Sequence, residues 1–452
     1  MRLKLRPAPL VLALIALLPA LPQALRAQVE KPSDGTAPRA IVTPIQIANL
    51  PLGVVTFPNG KAMNLVVSMG SAAFRQPGDV AGRLWFLTDR GPNIACTESK
   101  RLLNIDPEQS CAGDRNGRIY PLPGFVPSIY GVDLGADSSS RISIYLPLKT
   151  KSGKPISGRP NPPVNGERSE ATFSIDGKPL PPDPSGIDPE AIIRLSDGTF
   201  WIAEEFGPSL LEVAADGTIL RRLVPSNVAP ALKDADYEIV PALPPILRQR
   251  MTGRGFEGLA VSPDQKHLYA MMQSPLVLPD AEAFRRSRNV RIWKIERESG
   301  EIVGQFLYQL DPVTAFRGDH DGRERAQQDV QISEIVAIGE DKLLVVERVD
   351  RTTRFFTVSI NGGVRIPVEF NQIEANPALE ILDGDSLALR GLLPLEKVLV
   401  LDSDTVPGLP SRIEGVAVTA PDELYLISDS DFGIDGARTQ LVRVTLPVPS
   451  LK

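Results

Sequence analysis

Glu190, Glu257, Glu334 and Glu414 each open a short apolar run, followed by a Gly, Asp or Pro turn and a second apolar run. The clearest copy is Glu257-Gly258-Leu259-Ala260-Val261-Ser262-Pro263-Asp264, then His267-Leu268-Tyr269-Ala270-Met271-Met272-Gln273. Carboxylates that recur at one place in a repeat are brought together by any fold that repeats radially. Crowded and unpaired, they would repel, and burial would raise their pKa values. Protons, arginine partners or a hard cation would relieve this, and among metals calcium suits six to eight oxygen ligands best. A glutamate at the start of an inner strand can instead be a structural clasp, accepting N–H bonds from the neighbouring repeat.

A second set of polar residues closes the second runs: Asp89, Glu205 with Glu204 beside it, Gln273, Glu347 and Asp429. Arg90 and Arg348 adjoin two of them, and Arg254 lies just before Glu257. Acids interleaved with arginines suit a small anionic ester, with arginine gripping oxygens in bidentate fashion beside a metal that activates water. Salt bridges at the ends of repeats are the plainer reading of any single pair. Asp429-Ser430-Asp431-Phe432-Gly433-Ile434-Asp435-Gly436 is a further acidic run, in which Asp429 and Asp431 are candidate calcium ligands, but it lacks the distal glutamate of an EF-hand. Asp319-His320-Asp321-Gly322 reads as a solvated loop, and His267, within a strand, as a satisfied structural histidine.

The elements that must position these groups are β-strands. Glu to Glu, the copies are 67, 77 and 80 residues apart, and a degenerate copy with Ser71 in the glutamate slot lies 119 residues before Glu190. Two more strand candidates follow most copies. Four strands per repeat, turn residues between them and no long helix predict an all-β chain, a β-propeller of four-stranded blades. Five repeats are visible and a sixth is possible, against the alternative of a two-sheet sandwich. The strand at 41–47 is expected to pair with the last repeat and so cover its edge. Short helices are expected only in insertions, at 231–237, 244–251 and 280–287. Residues 41–449 read as one domain, with 151–187 a Pro/Gly-rich surface insertion.

Composition narrows the chemistry. The chain has 452 residues and a formal charge of −6, which excludes an electrostatic nucleic-acid binder. Its 43 prolines disfavour long helices. With His267 and His320 the only histidines, a three-His zinc site is impossible, and G-x-S-x-G, P-loop and G-x-G-x-x-G motifs are absent. Residues 1–27, with a basic start, an apolar run and small residues near Ala24 and Ala27, read as a secretory signal peptide, and 28–40 as a flexible mature N-terminus. A periplasmic or secreted protein without a membrane span follows. In that compartment Cys96 and Cys111, the only cysteines, fit one disulfide.

Several stretches carry a family resemblance: Asp89-Arg90-Gly91-Pro92-Asn93, Arg254-Gly255-Phe256-Glu257-Gly258-Leu259-Ala260 with Gln273-Ser274-Pro275-Leu276, Ile332-Ser333-Glu334-Ile335-Val336-Ala337 with Glu347-Arg348, and Ile413-Glu414-Gly415-Val416-Ala417. Together they resemble the phytase-like domain family, the "esterase-like activity of phytase" proteins, from about Leu52 to Leu446. The resemblance implies an exported propeller with phosphoester or ester hydrolase activity. The expected catalytic carboxylates are Glu257, Glu190, Glu334 and Glu414, the same four with Asp429 and Asp431 being the metal candidates. Asp89, Arg90, Glu205, Arg254, Gln273, Glu347 and Arg348 would surround the substrate. A non-catalytic ligand- or protein-binding propeller and a sugar lactonase-like calcium propeller are the alternatives.

Overall fold

Five antiparallel units follow one another along the chain. Each opens with a strand that runs next to its counterparts in the neighbouring units. Sheet 1 is built from Ala72–Phe74, Arg83–Leu87, Ser128–Leu134 and Ser140–Pro147. Sheet 2 takes Pro189–Arg194, Phe200–Glu204, Ser209–Val213 and Ile219–Pro225, with Glu238–Leu243 added in parallel at its edge. Sheet 3 is Phe256–Val261, His267–Met272, Asn289–Glu296 and Ile302–Gln309. Sheet 4 is Gln331–Gly339, Lys342–Arg348, Thr353–Ser359 and Lys397–Asp402. Sheet 5 is Ile413–Ala420, Glu423–Ser428 and Leu441–Thr445, completed by Ile41–Ile45 from the other end of the chain. The strand expected at 41–47 thus pairs with the last repeat, Ile41 opposite Thr445 and Ile45 opposite Leu441.

This computed structural model describes residues 39–164 and 170–452. The expected signal peptide at 1–27 and most of the flexible stretch at 28–40 lie outside the described residues.

The first strands explain how the sheets are placed. That of sheet 2 touches those of sheets 1 and 3, and that of sheet 4 touches those of sheets 3 and 5, while the first strands of sheets 5 and 1 also meet. Such strands are covered on both faces, so alternation gives way to nearly continuous small and apolar residues. All six residues of Phe256–Val261 are buried. Outermost strands instead alternate, as Ser140–Pro147 does between partly and fully exposed positions. Phe256, Trp293, Trp201 and Tyr269 fill the largest core cluster.

Helices are short and lie between strands. Those expected at 244–251 and 280–287 correspond to the 3-10 turn Pro245–Gln249 and the α-helix Ala281–Arg286, and 231–237 overlaps only the end of the 3-10 turn Ala229–Leu232; the α-helices Ser99–Leu103, Pro107–Ser110 and Gly384–Ala388 lie outside the three expected places. The excursion between the second and third strands of sheet 1 holds the Cys96–Cys111 disulfide. It also forms a small sheet, Ile94–Ala95 with Arg118–Ile119, to which Thr172–Phe173 adds in parallel. The 151–187 segment, expected as a surface insertion, therefore also packs inward, burying Ile156 and Phe173.

Candidate active site and cation centre

One backbone device recurs where the first strands begin. In sheets 2, 3 and 5 the pairing register slips by one residue at Glu190, Glu257 and Glu414. A bulge of this kind re-aims a side chain out of the sheet. In sheet 4 the slipped residue is Ser333, not Glu334. Aligned on the bulge, the ring of equivalent positions is Ser71, Glu190, Glu257, Ser333 and Glu414. Glu334 falls one place later, where the other sheets carry Ala72, Ala191, Gly258 and Gly415.

The same alignment sorts the second set. One register position holds Asp89, Glu205, Gln273, Arg348 and Asp429, and the position before it holds Thr88, Glu204, Met272, Glu347 and Ser428. Neighbouring residues on a strand face opposite ways. The earlier row is structural. Glu204 is fully buried and accepts bonds from Arg222, Ser209 and the amides of Phe206 and Gly207. Glu347, also fully buried, accepts from Tyr308, Lys397 and the Asp311 amide. The structure thus ties the expected substrate ligand Glu347 into the sheet, while Arg348 carries its register place in the ring and pairs with Glu414.

At one side of the ring the acids converge. Single carboxylate oxygens of Asp188, Glu190 and Glu205 all lie within 4.8 Å of one another. Beside them Arg90 reaches Asp188 at 2.9 Å, Glu170 at 2.9 Å and Glu205 at 3.6 Å, with its guanidinium over the Phe206 ring. Arg118 holds the other oxygen of Glu170 at 2.9 Å. Ser71 donates to Glu190 at 3.2 Å.

Electrostatics follow from the crowding. Burial, then Asp188, Glu257, Glu205 and Asp89, push the Glu190 carboxyl well above its ordinary range. Burial and Asp188 raise Glu205 to about 8 even though Arg90 opposes the shift. Glu414 is raised to about 7 by burial, with Arg348 opposing and Asp429 adding to it. Burial also raises Asp89 and Glu257. Asp89, Glu190, Glu414 and Asp429 keep some exposed surface.

Arg254 differs from its neighbours. Its guanidinium donates to the Gln328 carbonyl at 2.6 Å and lies over Phe284, and it forms no ion pair among the described residues. The charges of Glu205 and Asp329 face it. Gln273 is buried beside Glu257, whose carboxyl pKa it acts to lower against the effect of burial and whose Oε2 has no hydrogen-bond partner among the described residues.

The remaining candidates are placed differently. Glu334 accepts from the amide of the next residue, Ile335, at Oε1, while its Oε2 has no hydrogen-bond partner among the described residues. Asp429 accepts from Ser68, and Asp431 lies 3.5 Å from Arg412, which also reaches Asp435 at 3.5 Å. That acidic run already has its own cation. Asp319, expected in a solvated loop, is fully buried and accepts from the amides of Asp350, Arg351 and Thr352. His267 lies at the end of its strand away from Gln273, and its Nδ1, expected to be satisfied, has no partner among the described residues.

Sequence reasoning missed Asp188, Glu170 and Arg118. The stretch Asp188-Pro189-Glu190 was a usable signal, since two acids flank the proline that starts the strand. Nothing local marks Glu170.

The family model "Esterase-like activity of phytase" matches residues 71–432. The chain belongs to the phytase-like family. A curated relative, an "Uncharacterized secreted protein" of Arthroderma benhamiae, is 32% identical over 102 residues. The match covers 20% of this phytase-like chain and 20% of that protein. Among solved structures, a luciferin-regenerating enzyme is similar at 12% identity and a TM-score of 0.34, over 91% of this chain and 99% of that one. Virginiamycin B lyase from Staphylococcus aureus is similar at 13% identity and a TM-score of 0.29, over 90% and 99%.

Proposed function

We propose that this phytase-like chain is an exported, five-bladed β-propeller, one domain over 41–449, that hydrolyses a small anionic ester with the help of calcium. The observation that carries the reading is the meeting of Asp188, Glu190 and Glu205 beside Arg90. Their oxygens are hard donors, and burial with the neighbouring acids pushes the Glu190 carboxyl well above its ordinary range and Glu205 to about 8 against the opposing charge of Arg90. A divalent cation fits that donor set, and its flexible oxygen coordination accommodates unequal spacing. The ring of first strands and the Ile41–Ile45 closure support the blade count.

When bound, the cation would polarise the ester oxygen and lower the pKa of a water. The rest falls to the chain. Arg90, spent on three acids, fixes Asp188 and Glu205 instead of gripping substrate. Arg254, free of any ion pair among the described residues, takes the anionic oxygens. Glu414, poised near 7, suits proton donation to the leaving alkoxide. Among the described residues no helix is long and apolar enough to cross a membrane; the proposal of export to the periplasm or medium rests on the signal-peptide pattern of 1–27.

Opening of a sugar lactone is the second reading, favoured because Arg90 and Arg348 are paired with acids, which leaves Arg254 as the one arginine of the expected substrate set without an ion pair among the described residues. The test is turnover of p-nitrophenyl phosphate, p-nitrophenyl acetate and a γ-lactone by chelator-treated and calcium-loaded protein. Calcium-dependent turnover abolished by Glu190→Gln supports hydrolysis. No turnover of any ester in the loaded, folded protein would leave a ligand-binding propeller.

A further inference from the structure

Glu170 lies outside the three carboxylates that converge, yet its side chain is only 9% exposed. It comes from the insertion that precedes sheet 2. The parallel pairing of Thr172 with Arg118, with the Arg118 amide donating to the Ala171 carbonyl at 2.8 Å, sets it beside Arg118. Arg118 Nε then holds the Glu170 Oε2 at 2.9 Å, while its Nη1 donates to Asn93 at 2.6 Å. The other oxygen of Glu170, Oε1, accepts from Arg90 at 2.9 Å. Glu170 is thus a bridge between two arginines.

The three nitrogens of Arg90 are shared out one to each acid. Nη1 makes a charge-assisted hydrogen bond to Glu170 at 2.9 Å, Nε is in close ion contact with Asp188 at 2.9 Å, and Nη2 stands 3.6 Å from Glu205. That last distance is beyond the roughly 2.7–3.2 Å of a hydrogen bond. The backbone of Arg90 cannot shift to close it. Its amide donates to Asp188 at 3.1 Å, and its carbonyl is packed so tightly on Gly158 that a Cβ there would come within 1.7 Å of the oxygen. The guanidinium itself lies over the Phe206 ring. What is free to turn is the fork of Nη1 and Nη2, the part of an arginine that grips a carboxylate in bidentate fashion. Without Glu170, that fork would close on Glu205 and occupy the oxygen lone pairs that a cation needs.

We propose that Glu170 is a positioning residue of the cation centre: by keeping Arg90 Nη1, it holds the guanidinium off Glu205 and leaves that carboxylate to the metal. This role rests on the proposed reading of the centre as a calcium site. Calorimetric calcium titration of the intact, chelator-treated protein tests it as a double-mutant cycle. Glu170→Gln should weaken binding about tenfold or more, as is usual for residues that orient metal ligands. In an Arg90→Lys background the same change should cost less than about threefold, because an ammonium has no fork to close on Glu205. An equal loss in both backgrounds would make Glu170 a through-space charge and overturn the proposal, as would an affinity unchanged by Glu170→Gln. A crystal structure of metal-free Glu170→Gln needs neither the lysine variant nor the metal: Arg90 should close the 3.6 Å gap to Glu205, and an arginine left in place would contradict the role. No calcium binding by the folded wild type would bring down the calcium reading itself, and this role with it.

Discussion

Asp188 holds Arg90 twice: its Oδ2 lies 2.9 Å from the Arg90 Nε, and its Oδ1 accepts the Arg90 backbone N–H at 3.1 Å. Asp188 is fully buried at the start of sheet 2, and Arg90 lies just beyond the second strand of sheet 1. The pair therefore locks two sheets together and aims the guanidinium at Glu170 and Glu205. A buried ion pair is a weak source of net stability but a strict one for geometry, since either partner alone would be an uncompensated buried charge. Here it fixes two of the three carboxylates that converge on one point.

Arg254→Gln is expected to raise KM for an anionic ester by about 10- to 100-fold, the loss of one or two charge-assisted hydrogen bonds. Turnover of a neutral ester should be little changed, because Arg254 holds no acid in place. Parallel steady-state kinetics on p-nitrophenyl phosphate and p-nitrophenyl acetate check it. An equal loss on both would place Arg254 in the scaffold.

Stability of the metal-free protein should fall as pH rises. Glu205 and Glu414 titrate near 8 and 7 when folded, above the ordinary value of about 4.3. Between those limits the folded state holds protons that the unfolded state has released, so rising pH favours unfolding. Calcium, competing with those protons, should reverse the trend. Its effect on the melting temperature should be larger at pH 8.5 than at pH 5.5, and Glu205→Gln should flatten the metal-free profile. Differential scanning calorimetry across that range decides it.

Glu347→Ala should destabilise the fold by about 3 kcal/mol, because it strips a fully buried acceptor from Tyr308 and leaves Lys397 short of one of its two acidic partners. Calcium affinity should stay unchanged. Urea unfolding together with calorimetry separates the two effects, and a loss of calcium binding at full stability would return Glu347 to the site.

Replacing Cys96 and Cys111 by serine should cost about 3 kcal/mol, the loop-closure value for a 15-residue loop. Both cysteines are fully buried with Leu103, Ile119 and Phe173, so the loss should appear in urea midpoints and should not depend on calcium.

The repeat was legible because each first strand carries an apolar run after its opening polar residue and the turns that follow are rich in Gly, Asp and Pro, as in Ser196-Asp197-Gly198. The bulge was not, since a one-residue slip leaves no mark in composition. That is why Glu334 was aligned with Glu257 when Ser333 holds that place, and why Glu347 was grouped with residues of the ring that Arg348 joins. Asp188 was within reach, two residues from Glu190. Glu170 was not, because it arrives from an insertion with no repeat counterpart, and only the parallel pairing of Thr172–Phe173 with Arg118–Ile119 carries it to Arg90.

Calcium titration by isothermal calorimetry on chelator-treated protein, comparing wild type with Glu190→Gln and Glu334→Gln, tests the central claim most directly. The predicted result is one site in the wild type, weakened at least tenfold by Glu190→Gln and left intact by Glu334→Gln. No binding by the folded wild type, or equal affinity in Glu190→Gln, would contradict a cation held by Asp188, Glu190 and Glu205.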